Sequence, residues 1–326
     1  MSGTVSARPA PATVRLWRQP DFLPKYGPWL GVVALVIISG LASPAFLQFQ
    51  NIFNVLRQSS ALGIIALGQT FVILTGGIDL SVGAQISLFA ILSAAIMNGR
   101  VEMIVPAVVA CVGLGAVLGL INGLLITKRK VAPFIATLGM AIVITGAQLV
   151  WTNGAPSGDV PDILRFLGRG GVGPIPAALI VFTILSVICA FVLRKTTFGR
   201  RVYAVGGNLE AARLSGVNSD RVVIGVYMVS GMMAALGGII LGAFIGVSDN
   251  WIGKGMELDS IAAVVIGGTS LFGGRGGVSG TVAGVVLLTI LLNLVLLLGM
   301  PVEAQLIVKG LVIIGAVTLY TSRRRA

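Results

Sequence analysis

The sequence predicts an all-α, polytopic membrane protein of about ten transmembrane helices. Three observations predict it. Of 326 residues, 56% are hydrophobic and 10% charged, and the mean hydropathy of +1.00 is more than a water-soluble core accounts for. Apolar runs of bilayer length recur along nearly the whole chain, bounded by charge, Pro or Gly. The 45 glycines supply the small residues that let helix backbones approach where water-driven burial is absent.

The elements follow in order. Residues 1–27, MSGTVSARPAPATVRLWRQPDFLPKYG, are polar, basic and Pro-rich and read as a disordered cytoplasmic tail. No signal-peptide h-region or cleavage site precedes the first apolar run, which is expected to be retained. The membrane domain covers 28–322. Its ten runs lie at roughly 28–46, 55–75, 83–98, 103–127, 134–151, 176–194, 222–247, 257–272, 277–299 and 303–321. The third and eighth are short and flanked by glycine, the setting in which transporter helices break or re-enter to line a cavity.

Orientation follows from the Lys and Arg residues. With the N-terminus inside, 17 of the 23 lie in the tail, at Lys128–Lys130, in the loop 194–221, at Arg275 and in the basic C-terminus 323–326. The opposite face keeps Arg57, Arg100, Arg165, Arg169 and Lys254, so both termini are expected in the cytoplasm. Two external segments are longer than connection requires. Residues 152–174 carry a short apolar stretch (Ile163, Leu164, Phe166, Leu167) suited to an interface or a docking partner, and 248–256 form the other.

Glycine recurs every fourth residue at Gly115–Gly119–Gly123, Gly238–Gly242–Gly246 and Gly276–Gly280–Gly284, baring one helix face each time for close packing. The segment TGGIDLSVG, Thr75–Gly83, interrupts two apolar runs. It reads as a tight turn or as a hinge, with Asp79 a gate residue able to pair with a loop arginine. A second turn, Gly267–Gly274, shares its GGxxLxxG pattern. Within the runs, Gln69, Asn122, Gln148, Asn293 and Lys309 are costly to place in lipid. The amides suit hydroxyl-rich solutes or interhelical hydrogen bonds. Lys309 either snorkels outward or lines a cavity.

Several classes are excluded. The formal charge of +12 is dispersed between apolar runs rather than gathered as a nucleic-acid footprint. Histidine is absent, and Cys111 and Cys189 lie in apolar runs as small hydrophobes, so neither a metal nor another cofactor is expected. No GxxxxGK[ST] phosphate loop occurs, and no catalytic constellation supports an intramembrane enzyme. An ion-coupled secondary transporter of a small polar solute is the alternative class, disfavoured by the shortage of intramembrane acids.

The loop 194–221 decides among transporters. Its segment GGNLEAARLSG holds a short helix between glycines, with Glu210 and Arg213 on one face and Ala211 and Ala212 keeping it slim. Glu210-Ala211-Ala212 followed by Gly216 resembles the cytoplasmic EAA-x3-G signature of ATP-binding cassette importer permeases. FVILTGGIDLSVGA (71–84), ITKRKVAPFIATLGM (126–140), TTFGRRVYAVGGNLEAARLSGV (196–217) and ELDSIAAVVIGGTSLFGGRGGVSGT (257–281) look like the ribose-type sugar permeases. The later Ile and Leu-Pro of the long importer signature are missing after Gly216, as is usual for that branch. The resemblance implies a type II importer bundle in the bacterial inner membrane, working as a homodimer or heterodimer. It implies ATP-binding subunits coupled through Gly207, Glu210, Ala211, Ala212, Arg213 and Gly216. An external binding protein would deliver a monosaccharide or polyol, and Gln69, Asp79, Asn122, Asn293 and Lys309 are candidate pathway or gate residues.

Overall fold

The computed structural model describes residues 22–246 and 249–322, so most of the N-terminal tail and residues 323–326 lie outside the described residues. Among them run thirteen α-helices: α1 (Phe22–Ala42), α2 (Phe49–Leu74), α3 (Val82–Met97), α4 (Ile104–Lys128), α5 (Pro133–Thr152), α6 (Asp162–Arg169), α7 (Ala177–Lys195), α8 (Thr197–Gly207), α9 (Leu209–Leu214), α10 (Ser219–Ile245), α11 (Met256–Ile266), α12 (Val278–Leu297) and α13 (Val302–Ser322). A short antiparallel pair, β1 (Gly171–Val172) and β2 (Ile175–Pro176), joins α6 to α7. Each apolar run of the sequence coincides with a helix. By length and composition, α4, α5, α7, α10 and α12 can each cross a membrane.

Helix ends follow local chemistry. Asn208 caps α9 by accepting from Ala211 N at 3.0 Å, and Asn218 caps α10 by accepting from Arg221 N at 3.1 Å, the usual work of an N-cap amide. Gly246 ends α10 in the left-handed region at φ 71°.

The centre of the bundle is α10. Its most apolar window is 61% buried, against 22% in α4 and α5 and 28% in α7, which therefore lie at the periphery. The glycine stripes explain how neighbours reach it. A side chain at Gly115, Gly119 or Gly123 would collide with α10 backbone at Gly231, Tyr227 and Ile224. One at Gly238 would stand 2.7 Å from Ile86 O of α3. Gly280 and Gly284 likewise meet the backbone of Gly267 and Ala263 at α11 and its end. Packing, rather than a groove left open, accounts for these repeats.

Two expectations are corrected. The eighth run, expected at 257–272, stops as a helix at Ile266, because Gly267 and Gly268 (φ +88°) turn the chain. Residues 267–277 instead form a loop in which Thr269 and Ser270 are buried. Gly246 and Gly276 also drop out of their stripes, Gly246 as a helix cap and Gly276 as a loop residue at φ +127°.

Candidate functional site

Three groups of polar or exposed residues stand out, at one end of the bundle, in its interior and at the opposite end. The first surrounds α9. Ala212 is buried in the main core while Ala211, Glu210, Leu214 and Gly216 are exposed. Gly216 takes φ +78°, which lets its N–H reach Arg213 O at 2.9 Å and close the helix. Glu210 and Arg213 do not present a shared charged face. Arg213 folds back, donating from Nε to Ser219 Oγ at 2.9 Å with Nη2 3.7 Å from Asp220 Oδ1, because Asp220 opens α10 directly below it. Lys128 Nζ reaches the same aspartate at 2.8 Å, tying the α4–α5 turn to this loop. Glu210 makes no ion pair among the described residues.

The exposed surface of α9 is apolar as well as acidic. Leu214 is 86% exposed and Leu209 44%. Both were missed in the sequence, although leucines inside a basic, solvated loop are the signal that would have found them.

Behind α9, α8 leans on both glycine turns at once. Gly274 N donates to Leu74 O at 2.9 Å, joining the end of α2 to the 267–277 loop. Gly206 fits against this bond so closely that a methyl group there would lie 2.6 Å from Gly274 N. Gly273 in turn abuts Gly76 N and Gly206 O, both 2.9 Å from where its Cβ would stand. Tyr203 Oη donates to Gly276 O at 2.9 Å. Burial pushes the Tyr203 phenol up, with Arg194 opposing, so the donor proton stays in place at neutral pH. The shared GGxxLxxG pattern thus marks two turns that meet on one helix. Gly207 itself is exposed, with nothing near a Cβ placed on it.

In the interior, Asp79 and Asn122 share one network. Asp79 Oδ1 accepts from Ser81 N at 3.0 Å and Ser81 Oγ at 2.5 Å, and Oδ2 accepts from Ser230 Oγ at 2.8 Å. Ser81 Oγ in turn accepts from Gln85 Nε2 at 2.8 Å and Asn122 Nδ2 at 3.0 Å. Asp79, Ser81, Gln85 and Asn122 are all fully buried. The expected arginine partner for Asp79 is absent among the described residues; neighbouring serines take its place because the loop folds inward against α10.

The other candidates lie apart. Gln69 is fully buried on α2 and neither amide atom has a partner. Asn293 exchanges two hydrogen bonds with Asn51, at 3.0 and 2.9 Å, joining α12 to α2. Lys309 neither snorkels freely nor lines a cavity alone: its Nζ lies 2.8 Å from Asp259 Oδ2, an ion pair between α13 and α11.

At the opposite end, Asn250 gathers the two long loops. Gln148 Nε2 donates to Asn250 Oδ1 at 2.9 Å, and Asn250 Nδ2 donates to Gly154 O at 3.0 Å. Arg169 closes α10 by donating to Phe244 O at 2.6 Å and also to Ile245 O. Half of the apolar stretch in α6 packs inward through Leu164, while Ile163 and Phe166 stay 60% and 51% exposed.

Comparison with known proteins places the chain among transport permeases. The family described as the permease component of the branched-chain amino acid transport system matches residues 51–317. The ribose import permease protein RbsC of Bacillus subtilis is 47% identical over 90% of this chain and 92% of its own length. Its Escherichia coli counterpart is 40% identical over 88% and 91%. The galactose/methyl galactoside import permease protein MglC of Haemophilus influenzae is 38% identical over 87% and 91%. No solved structure matches significantly. With most of its length matched by that family and by relatives of nearly equal extent, the chain belongs to this family of membrane-spanning transport-system permease components.

Proposed function

We propose that the chain is the membrane-spanning subunit of an ATP-driven importer in the bacterial inner membrane, and that it carries a monosaccharide, ribose first. The substrate assignment is carried by one observation: ribose import permeases are 38–47% identical to this chain, against 36–38% for galactose/methyl galactoside ones. The family's description names an amino acid system, but the relatives compared above are ribose and galactose/methyl galactoside import permeases.

Two permease copies, or one with a similar partner, enclose the pathway, with both termini in the cytoplasm. ATP is hydrolysed on separate subunits, which grip α9 through Leu209, Glu210 and Leu214. Motion passes from α9 to α8 and from Gly206 into both glycine turns, because backbone packed on backbone has little room to yield. A binding protein docks opposite, on the loops that Asn250 gathers and on Ile163 and Phe166. Gln69, with no partner in this conformation, is the amide best placed to meet a hydroxyl-rich solute once the helices rock.

The test is uptake of labelled ribose and galactose by cells lacking their own permeases and supplied with this chain, its ATP-binding subunit and its binding protein. Ribose uptake that stops when the ATP-binding subunit is omitted is the expected result. Uptake of neither sugar, or uptake without that subunit, refutes the assignment.

A further inference from the structure

A cavity of about 270 Å³ opens between the first turns of α8 and α10. Its wall sets Arg201, Arg221 and Asn218 around an apolar side made by Phe198 and Val222, and no acidic residue lines it. Neither arginine has an ion pair among the described residues, and Asp220, beside Arg221 in the chain, is already engaged by Lys128 and Arg213. Asn218 uses its Oδ1 to cap α10 at Arg221 N, which leaves its amide nitrogen available as a donor. Three donor groups therefore border one cavity with no opposite charge in its wall.

Position narrows the ligand. Phe198 follows the last residue of α7 by three places and Arg221 is the third residue of α10, and both helices can cross a membrane. The cavity thus lies where two spans meet water, at headgroup level on the face read as cytoplasmic. Packing holds its apolar side in place, since the Phe198 ring stacks on Phe71 at 6.4 Å and lies 3.0 Å from where a Cβ on Gly225 would stand. Volume narrows the ligand further. The space equals roughly nine waters at about 30 Å³ each, room for a phosphate with its glycerol, whereas a single carboxylate would leave most of it to water.

We propose that this cavity binds the phosphate of an anionic phospholipid. Arg201 and Arg221 present planar guanidinium forks suited to phosphate oxygens, with Asn218 as a third donor and the glycerol end against Phe198 and Val222. A zwitterionic headgroup is disfavoured, because nothing acidic in the wall meets its ammonium group. Gly216, which closes α9 at φ +78°, forms part of the same wall, so the bound lipid braces the turn between α9 and α10. Such binding depends on the membrane orientation proposed above, but on neither the sugar nor the ATP-binding subunit.

The test titrates purified full chain in neutral detergent with radiolabelled phosphatidylglycerol, using excess phosphatidylcholine or inorganic phosphate as competitors. Saturable binding of about one phosphatidylglycerol per chain, displaced by neither competitor, is the expected result. Arg201→Gln and Arg221→Gln alter exposed positions and should leave the fold intact. Each should weaken lipid binding about tenfold, the loss of one charge-assisted phosphate contact. Arg129→Gln, which removes an equal charge from the exposed end of α4, should not. Absence of saturable binding, or equal displacement by phosphatidylcholine, overturns the proposal. So does displacement by inorganic phosphate, which makes the occupant a free anion, and so does an equal loss in all three variants, which reduces the effect to general surface charge. Loss of co-purification with the ATP-binding subunit in the Arg201 and Arg221 variants, with lipid binding intact, assigns the cavity to that subunit instead. Because the titration contains neither sugar nor that subunit, its failure leaves the import assignment standing.

Discussion

Gly206→Ala perturbs the contact through which motion is proposed to leave the loop helix. An alanine methyl there stands 2.6 Å from Gly274 N and closer still to Leu74 O, where ordinary contact begins at 3.4 Å. Both neighbours are backbone atoms, so no rotamer change relieves the collision. Either α8 withdraws or the Gly274 N–Leu74 O bond of 2.9 Å opens. Overpacking of this kind costs about 1–3 kcal/mol, and a buried carbonyl left unpaired costs about 1–3 kcal/mol more. The helical preference of Ala over Gly returns about 1 kcal/mol, leaving a net loss of about 1–5 kcal/mol. Gly207→Ala is the matched control, since a methyl at Gly207 meets nothing within 4 Å. Reconstituted complexes are assayed for melting temperature, ATPase stimulation and sugar uptake. Gly206→Ala should lower the melting temperature and separate ATP hydrolysis from uptake, while Gly207→Ala should do neither. Wild-type uptake and melting for Gly206→Ala would refute the claim that α8 bears on both turns.

Three further outcomes are expected. Leu214→Asp and Glu210→Lys change exposed positions of α9, so melting should stay within the range of a ~0.5 kcal/mol change while co-purification with the ATP-binding subunit falls; unchanged association for both would free α9 of any docking role. Lys309→Met should cost about 1–3 kcal/mol by leaving Asp259 unpaired at 15% exposure, and the double variant with Asp259→Leu should recover most of it; strictly additive losses in thermal unfolding would show that the pair does not interact. Reporters fused after Ala326 and inserted near Gly158 should lie on opposite sides of the membrane, as the distribution of Lys and Arg requires, and finding both on one side would overturn the proposed orientation.

By itself the sequence determined the class of fold and the approximate place of its main helices. Hydropathy is additive along the chain, so each apolar run holds a helix over most of its length, and Asn208, Gly216 and Asn218 act as caps through atoms only a few residues away. The glycine stripes also announced close packing, although which helix each would meet was not written in their spacing. Tertiary structure alone decided the partners. Asp79 was read as a candidate for an arginine because charge suggests opposite charge, yet Ser230, 151 positions away, reaches it only because α10 passes behind the loop. Arg213 turns from partner-facing to self-facing for the same reason: Asp220 becomes its neighbour only when α10 starts beneath α9. Lys309 and Asp259, 50 residues apart, find each other through the packing of α13 on α11. Burial, too, is a property of the assembled bundle, so a polar residue in an apolar run can be recognised in the sequence, while the groups that satisfy it, or leave it waiting for a ligand, exist only once helices distant in the chain have met.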